Sequence, residues 1–350
     1  MINSFNLINL IQLNQLNLTQ STINQYMKQL TELHGLVSRA VDTLTFPEYP
    51  ADLYEPISYI LALGGKRLRP ALLLMACDLF GGDVESAIEP ALAIEVFHNF
   101  TLMHDDIMDK APLRRGKVTV HEKWNANVAI LSGDAMMVEA NKLMMMVDDA
   151  ILRPVMNVFN ETAIGVCEGQ QIDMSFEQRN NVEIDEYINM IRLKTAVLLG
   201  GTLKIGSIIG GAGEEDAQLL YNFGVNLGIA FQLQDDILDV YGDPEKFGKQ
   251  VGGDILSNKK TYLLIKALEL AKGDQATELG NWLSIEQFDA AGKVKAVTAI
   301  YNELDIRQYA ERAMQNYAER AFDALDKINL PEDRRQYLRQ FADNLLVREY

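Results

Sequence analysis

From about Ile23 onward, apolar residues recur at spacings of three and four and hardly ever at two. The first spacing fits an amphipathic helix and the second a strand, so the chain is expected to be all-α. Helices are expected near residues 23–45, 52–63, 69–80, 86–108, 125–147, 151–174, 184–209, 214–240, 259–272, 286–300 and 305–327, with a last one from 331. Breakers fall between them at Gly64-Gly65, Gly81-Gly82, Pro112, Gly210-Gly211, Gly242-Asp243-Pro244 and Gly252-Gly253. A length of 350 residues alone would suggest about two domains. No Pro- or Ser-rich linker divides the chain, however, and residues 27–350 read as a single helical domain.

The first 27 residues carry no charged side chain, and Asn and Gln interrupt every short apolar run. They match neither a secretory signal nor a membrane span. Residues 1–26 therefore read as a disordered or loosely helical extension, and the protein as cytoplasmic without stable membrane insertion. A net charge of −17 opposes nucleic acid and anionic membrane as partners, since both select basic surfaces. Cys77 and Cys167 lie in apolar helical stretches with no Cys-x-x-Cys pattern, and read as two buried free thiols. The four histidines show no i, i+4 pair, which speaks against zinc.

One short repeat stands out: DDIMD at 105–109 and DDILD at 235–239. On a helix, positions i and i+4 lie about 40° apart and about 6 Å along the axis, so Asp105 and Asp109 share a face. Asp235 and Asp239 do the same. Like charges at this spacing destabilise a helix unless a cation offsets them, and carboxylate oxygens suit Mg²⁺. A solvated acidic face is the ordinary alternative, but the flanks FHNFTLMHDDIMD and IAFQLQDDILD are too apolar for one. His98, seven residues before Asp105, shares its face with Thr101 in between, and Gln232 shares a face with Asp235 and Asp239.

Three basic clusters answer these acids. GGKRLRP sets Lys66, Arg67 and Arg69 at a helix start marked by Pro70, where backbone N–H groups favour an anion. PLRRGK places Arg114 and Arg115 just after the first acidic motif, and Lys249, Lys259 and Lys260 follow the second across a Gly-rich loop. Solvated basic surface would explain one such cluster but not the recurrence. Arginine forks and lysine point charges suit phosphate oxygens. There is no Gly-x-x-x-x-Gly-Lys-Ser/Thr loop, and the glycines at 206–213 follow no strand. The residues alone thus reach a helical protein that binds a diphosphate through Mg²⁺.

With GGKRLRP, HDDIMDKAPLRRGKVTVH, CEGQQIDM, RLKTAV, GIAFQLQDDILDVYGD and FGKQVGGDILSNKKTYL in order, the chain resembles the trans-isoprenyl diphosphate synthases of the polyprenyl synthetase family. The resemblance is detailed from about Tyr54 to Glu269 and looser beyond. It implies a large helical bundle around a central cavity, a homodimer, and the two acidic motifs facing each other at the cavity mouth. It implies three Mg²⁺ per active site, with Asp105, Asp109 and Asp235 as principal ligands and Asp106, Asp236 and Asp239 in support. Arg114, Lys194 and Lys249 would hold the allylic diphosphate. Lys66, Arg69, His98 and Arg115 would hold isopentenyl diphosphate, with Lys259 a further substrate contact. Thr195 and Gln232 would lie near the carbocation, and Gln170 and Asp173 would support the wall and metal waters.

The implied activity joins isopentenyl diphosphate to an allylic diphosphate, giving a linear trans-polyprenyl diphosphate of 15 or 20 carbons and pyrophosphate. Phe100 and Thr101, five and four positions before Asp105, would set the length. A terpene cyclase would normally lack DDILD and the GGKRLRP site, and a non-catalytic partner subunit would have degraded acidic motifs. Both motifs are intact here.

Overall fold

The computed structural model describes residues 20–243 and 251–346, with side chains from Thr31 onward. Among these residues the only strands are β1 (Leu113–Arg114) and β2 (Lys117–Val118), an antiparallel hairpin, so the all-α expectation holds. Residues Arg115 and Gly116 turn this hairpin with φ of 53° and 73°. Two successive positive φ values define the tight turn whose twist matches paired strands, and Gly takes one at no steric cost.

The helices of eight residues or more are α1 (Gln20–Asp42), α2 (Ala51–Ala62), α3 (Leu68–Leu79), α4 (Ile88–Met108), α5 (Ala126–Met144), α6 (Asp149–Glu177), α7 (Ile184–Ile191), α8 (Val197–Ile209), α9 (Glu214–Tyr241), α10 (Tyr262–Leu270), α11 (Asp274–Ser284), α12 (Ala290–Glu303), α13 (Ile306–Asp326) and α14 (Glu332–Leu346). The pattern anticipated most of them within a few residues. It missed α11, whose sequence DQATELGNWLS buries only Leu279 and so carries little apolar period. It also ran α7 and α8 together, whereas a π-helical turn, Arg192–Ala196, separates them. The expected extension, 1–26, lies outside the described residues up to position 19, and Gln20 already begins α1.

The chain forms two compact units. The first takes Met1–Asn160 with Thr202–Ala217, and the second Glu161–Gly201 with Gln218–Tyr350. In the first unit α4 packs chiefly against α5. α5 buries the small residues Ala129, Gly133 and Ala140, and α4 buries Val96, Phe97 and Met103; Gly133 lies against the His104 ring, where a Cβ would collide with Nε2. The helix start is fixed by Asn125, whose side chain accepts from the Val128 N–H. Cys77 is buried and burial pushes its thiol up to about 11, as expected of an inert thiol. Cys167 is exposed on α6, which corrects the expectation of two buried thiols; the apolar neighbours that suggested burial cover the other side of that helix.

The second unit has its core around α9. Leu233 and Ile237, one turn apart, are fully buried with Tyr187, Ile229, Leu263, Leu264, Ile300 and Ile306. Burying each such aliphatic side chain stabilises the fold by about 1.5–3 kcal/mol. Thr261 caps α10 through the Leu264 N–H, and Asp289 caps α12 through the Gly292 N–H.

Candidate active site

Both acidic motifs occupy the last turn of a long helix. The first ends α4: Asp109 is its C-cap, Lys110 follows at φ 51°, and the Ala111 N–H donates to the Asp106 carbonyl at 2.9 Å. The second ends α9 just before Tyr241. Carboxylates here sit at the negative end of the helix dipole, a place that favours a cation as neighbour.

Within each motif the three acids are not equivalent. Asp106 is buried, and Arg114 donates to it from Nε at 2.9 and 2.8 Å and from Nη2 at 2.7 Å. Asp105 is half-buried and Asp109 exposed. In the second unit Asp236 is buried; Tyr187 donates its hydroxyl to Oδ2, and the Tyr262 N–H approaches the same oxygen at 3.3 Å. Burial pushes the Asp236 carboxyl up to about 7, against the Tyr187 hydrogen bond. Asp235 and Asp239 are half-buried, and Asp239 Oδ2 accepts from the Asp254 N–H at 2.9 Å. The outer acids of each motif, hard oxygen donors on one helix face, fit Mg²⁺. Among the described residues, no three His, Cys, Asp or Glu side chains converge as a closed metal cage.

The first unit gathers basic groups against α4. Arg69 Nη1 lies 3.4 Å from His98 Nε2, and burial lowers the pKa of both. For His98 the charges of Arg69, Arg115 and Arg114 depress it further, so it is a neutral imidazole at pH 7. The Arg115 guanidinium rests on Gly65, where a Cβ would meet Nη2 at 2.7 Å. Arg67 goes elsewhere: it takes φ 44° at the start of α3 and donates to the Ser38 carbonyl at 3.3 Å, with Asp42 at 3.7 Å. Its role is to tie α3 to α1. Lys66 is exposed, and its carbonyl meets His34 Nε2 at 3.1 Å.

In the second unit Lys194 and Thr195 sit on the π turn, the form of helix that often marks a functional site. Lys194 Nζ donates to Asp173 Oδ2 at 2.6 Å. Two glycines admit this turn: a Cβ on Gly169 would collide with the Lys194 backbone, and one on Gly228 would lie 2.7 Å from Ala196 Cα. Gln170 is buried on α6, and Gln232 is half-buried on α9. Lys259 Nζ lies 3.8 Å from Asp254 Oδ1. Lys249 lies outside the described residues. Phe100 packs its ring against Phe97 and His104 at 5.6 and 4.8 Å, and the Thr101 hydroxyl donates back to the His98 carbonyl.

A family model described as polyprenyl synthetase matches residues 50–301. The chain belongs to the polyprenyl synthetase family. A geranylgeranyl diphosphate synthase of Methanosarcina mazei is 38% identical over 318 residues, covering 90% of this chain and 95% of its own. One from Sulfolobus acidocaldarius is 39% identical over 305 residues, covering 83% and 90%. The crystal structure of a geranylgeranyl pyrophosphate synthetase from Pyrococcus horikoshii is similar with a TM-score of 0.85 at 35% identity, covering 93% of this chain and 100% of its own.

Sequence reasoning passed over several buried residues that brace these elements. Glu95 is buried one turn before His98 and accepts from Asn99 Nδ2 at 3.0 Å; its charge opposes the effect of burial on Arg69 and Arg115. Lys293, fully buried, donates to Asn258 Oδ1 at 2.7 Å and so braces the loop that carries Lys259. Polar residues inside apolar helices were the available signal for both. Tyr187 left none, because a Tyr at an apolar position of α7 reads as core.

Proposed function

We propose that this chain is a Mg²⁺-dependent trans-prenyltransferase that adds isopentenyl diphosphate to an allylic diphosphate and releases pyrophosphate, its two units working as one catalytic domain. The carrying observation is geometric: Arg69 Nη1 lies 3.4 Å from His98 Nε2, and Arg114 forks onto Asp106 further along the same helix, which ends in Asp105 and Asp109. Basic groups gathered in a chain of net charge −17 suit an anionic ligand.

On this reading Asp105, Asp109 and Asp235 would hold the ions, with Asp239 in support. Mg²⁺, expected at three ions per site, would when bound supply positive charge to the departing pyrophosphate. Lys194, Lys249 and Arg114 add fixed cations there, stabilising the charge that grows as the allylic C–O bond breaks. Lys66, Arg69 and Arg115 grip isopentenyl diphosphate, and His98 contributes a hydrogen bond without charge. Thr195 and Gln232 present oxygens to the carbocation. The double bond of isopentenyl diphosphate attacks that carbon, and a proton leaves to the released pyrophosphate. No side-chain nucleophile takes part.

The relatives' names favour the longer of the two expected products, 20 carbons, with Phe100 and Thr101 setting the length. The exposed apolar stripe of Leu131 and Val138 on α5, continued by Met145 at its C-cap, supports a homodimer, because a patch of that kind on a helix face marks a partner surface. No helix of the described residues is long and apolar enough to cross a membrane, and a cytoplasmic enzyme is the reading adopted. The test is incubation with isopentenyl and dimethylallyl diphosphates and Mg²⁺. Release of pyrophosphate with linear 20-carbon products supports the proposal; cyclic products or no pyrophosphate refute it. Light scattering of Leu131→Glu/Val138→Glu should give a monomer where the parent gives a dimer.

A further inference from the structure

Tyr187 belongs to none of the acidic or basic motifs, yet its hydroxyl ends on the second of them. It is buried on α7 and donates to Asp236 Oδ2, the oxygen that the first N–H of α10 also approaches. We infer that Tyr187 is a positioning residue for the second acidic motif, and that Asp236 is its internal anchor and not a metal ligand. The inference rests on the metal-dependent reading above.

The geometry gives the reason. Adjacent helix positions lie about 100° apart, whereas Asp235 and Asp239 lie about 40° apart. Asp236 stands about 100° from Asp235 and about 60° from Asp239, so fixing it inward turns Asp235 and Asp239 together toward the less buried side of the same turn. Their partial exposure agrees with this: Asp236 is 3% exposed, whereas Asp235 and Asp239 are half-buried. A helix end frays unless something holds it. Here Tyr187 from α7 and the start of α10 hold the last turn of α9 from inside, while the Gly252 and Asp254 N–H groups bind Asp239 at its carbonyl and carboxylate.

The first motif reaches the same arrangement by other chemistry. Asp106 is 2% exposed and held by the Arg114 fork, so the middle acid again points inward. Two anchors of different type at equivalent positions favour a geometric role for the middle acid, since the common element is its fixed direction.

The experiment uses the full chain with Mn²⁺ and a non-hydrolysable bisphosphonate, with binding read by calorimetry and folding by circular dichroism. Asp236→Asn keeps an oxygen for Tyr187 and for the Tyr262 N–H; it should bind the metal–bisphosphonate within about threefold of the parent. Asp235→Asn should lose roughly a hundredfold. Tyr187→Phe should weaken binding about tenfold while staying folded, and should raise the Mg²⁺ needed for half-maximal turnover. Combining Tyr187→Phe with Asp236→Asn should cost no more than Tyr187→Phe alone, because both act through one contact. Loss in Asp236→Asn equal to that in Asp235→Asn, or parent-like binding in Tyr187→Phe, overturns the inference. A parent protein that binds no metal–bisphosphonate overturns the reading beneath it, and the inference with it.

Discussion

Gly65 and Arg115 are in direct apposition: a Cβ at position 65 would stand 2.7 Å from Arg115 Nη2, and the glycine φ is +148°. The residue before the basic cluster therefore sets where a second cluster, fifty residues on, can place its guanidinium. Gly65→Ala is expected to push that side chain aside, because the far end of an arginine yields more readily than backbone. KM for isopentenyl diphosphate should rise about tenfold, equivalent to about 1.4 kcal/mol of binding. The strained φ should also lower stability by about 1 kcal/mol. Steady-state kinetics with each substrate varied in turn, alongside urea unfolding, separates the two effects.

Asp105→Ala and Asp235→Ala are each expected to reduce kcat by at least roughly a hundredfold with the fold intact, since on the proposed reading each would remove an oxygen ligand next to the leaving group. EDTA should abolish turnover and excess Mg²⁺ restore it. Parent-like rates in either variant would contradict the assignment. Asp106→Ala should behave differently, with a lower melting temperature, because Arg114 then loses the partner it grips with two nitrogens.

Gly169 faces the backbone of Lys194, which cannot move aside as a side chain can. Gly169→Ala should destabilise by about 1–3 kcal/mol, the usual cost of overfilling a packed contact. It should also disturb the Lys194–Asp173 pair and so reduce kcat. Calorimetric melting combined with turnover checks both; an unchanged melting temperature would mean that the π turn shifts freely.

His98 gives the protein a pH dependence of known sign. Its folded pKa is depressed by burial and by Arg69, Arg115 and Arg114 from the ordinary 6.5. Between the two values the unfolded chain binds the extra proton, so stability falls as pH drops below about 6.5 and is unaffected above it. His98→Gln should flatten that limb. Urea midpoints from pH 5 to 7.5 for both proteins test this; identical slopes would show that His98 takes up its proton as readily folded as unfolded.

Product length should follow the Phe100 ring. Phe100→Ala leaves space against Phe97 and His104 that packed neighbours will not close, and products should lengthen by about one five-carbon unit. Thr101→Phe should shorten them. Chromatography after phosphatase treatment reads the distribution under excess isopentenyl diphosphate. An unchanged distribution in both would move the length determinant to other residues, Met136 and Met137 of α5 among them.

The sequence by itself determined the helical class, most helix limits and the family. These rest on periodicity, breakers and motif order, which are local along the chain. It also brought Asp105 with Asp109, and Asp235 with Asp239, onto common faces, because helix geometry alone does that. It did not separate α7 from α8 or find α11, since a π turn keeps the helical apolar pattern and a mostly exposed helix has little pattern to read. Only the tertiary structure decided what each side chain meets. It turned Arg67 to α1, gave Arg114 to Asp106, set Arg115 against Gly65 and joined Tyr187 to Asp236 across 49 residues of chain. The physical reason is that a motif fixes residue type and spacing on one element, whereas a buried polar group takes whichever partner packing brings within hydrogen-bond reach.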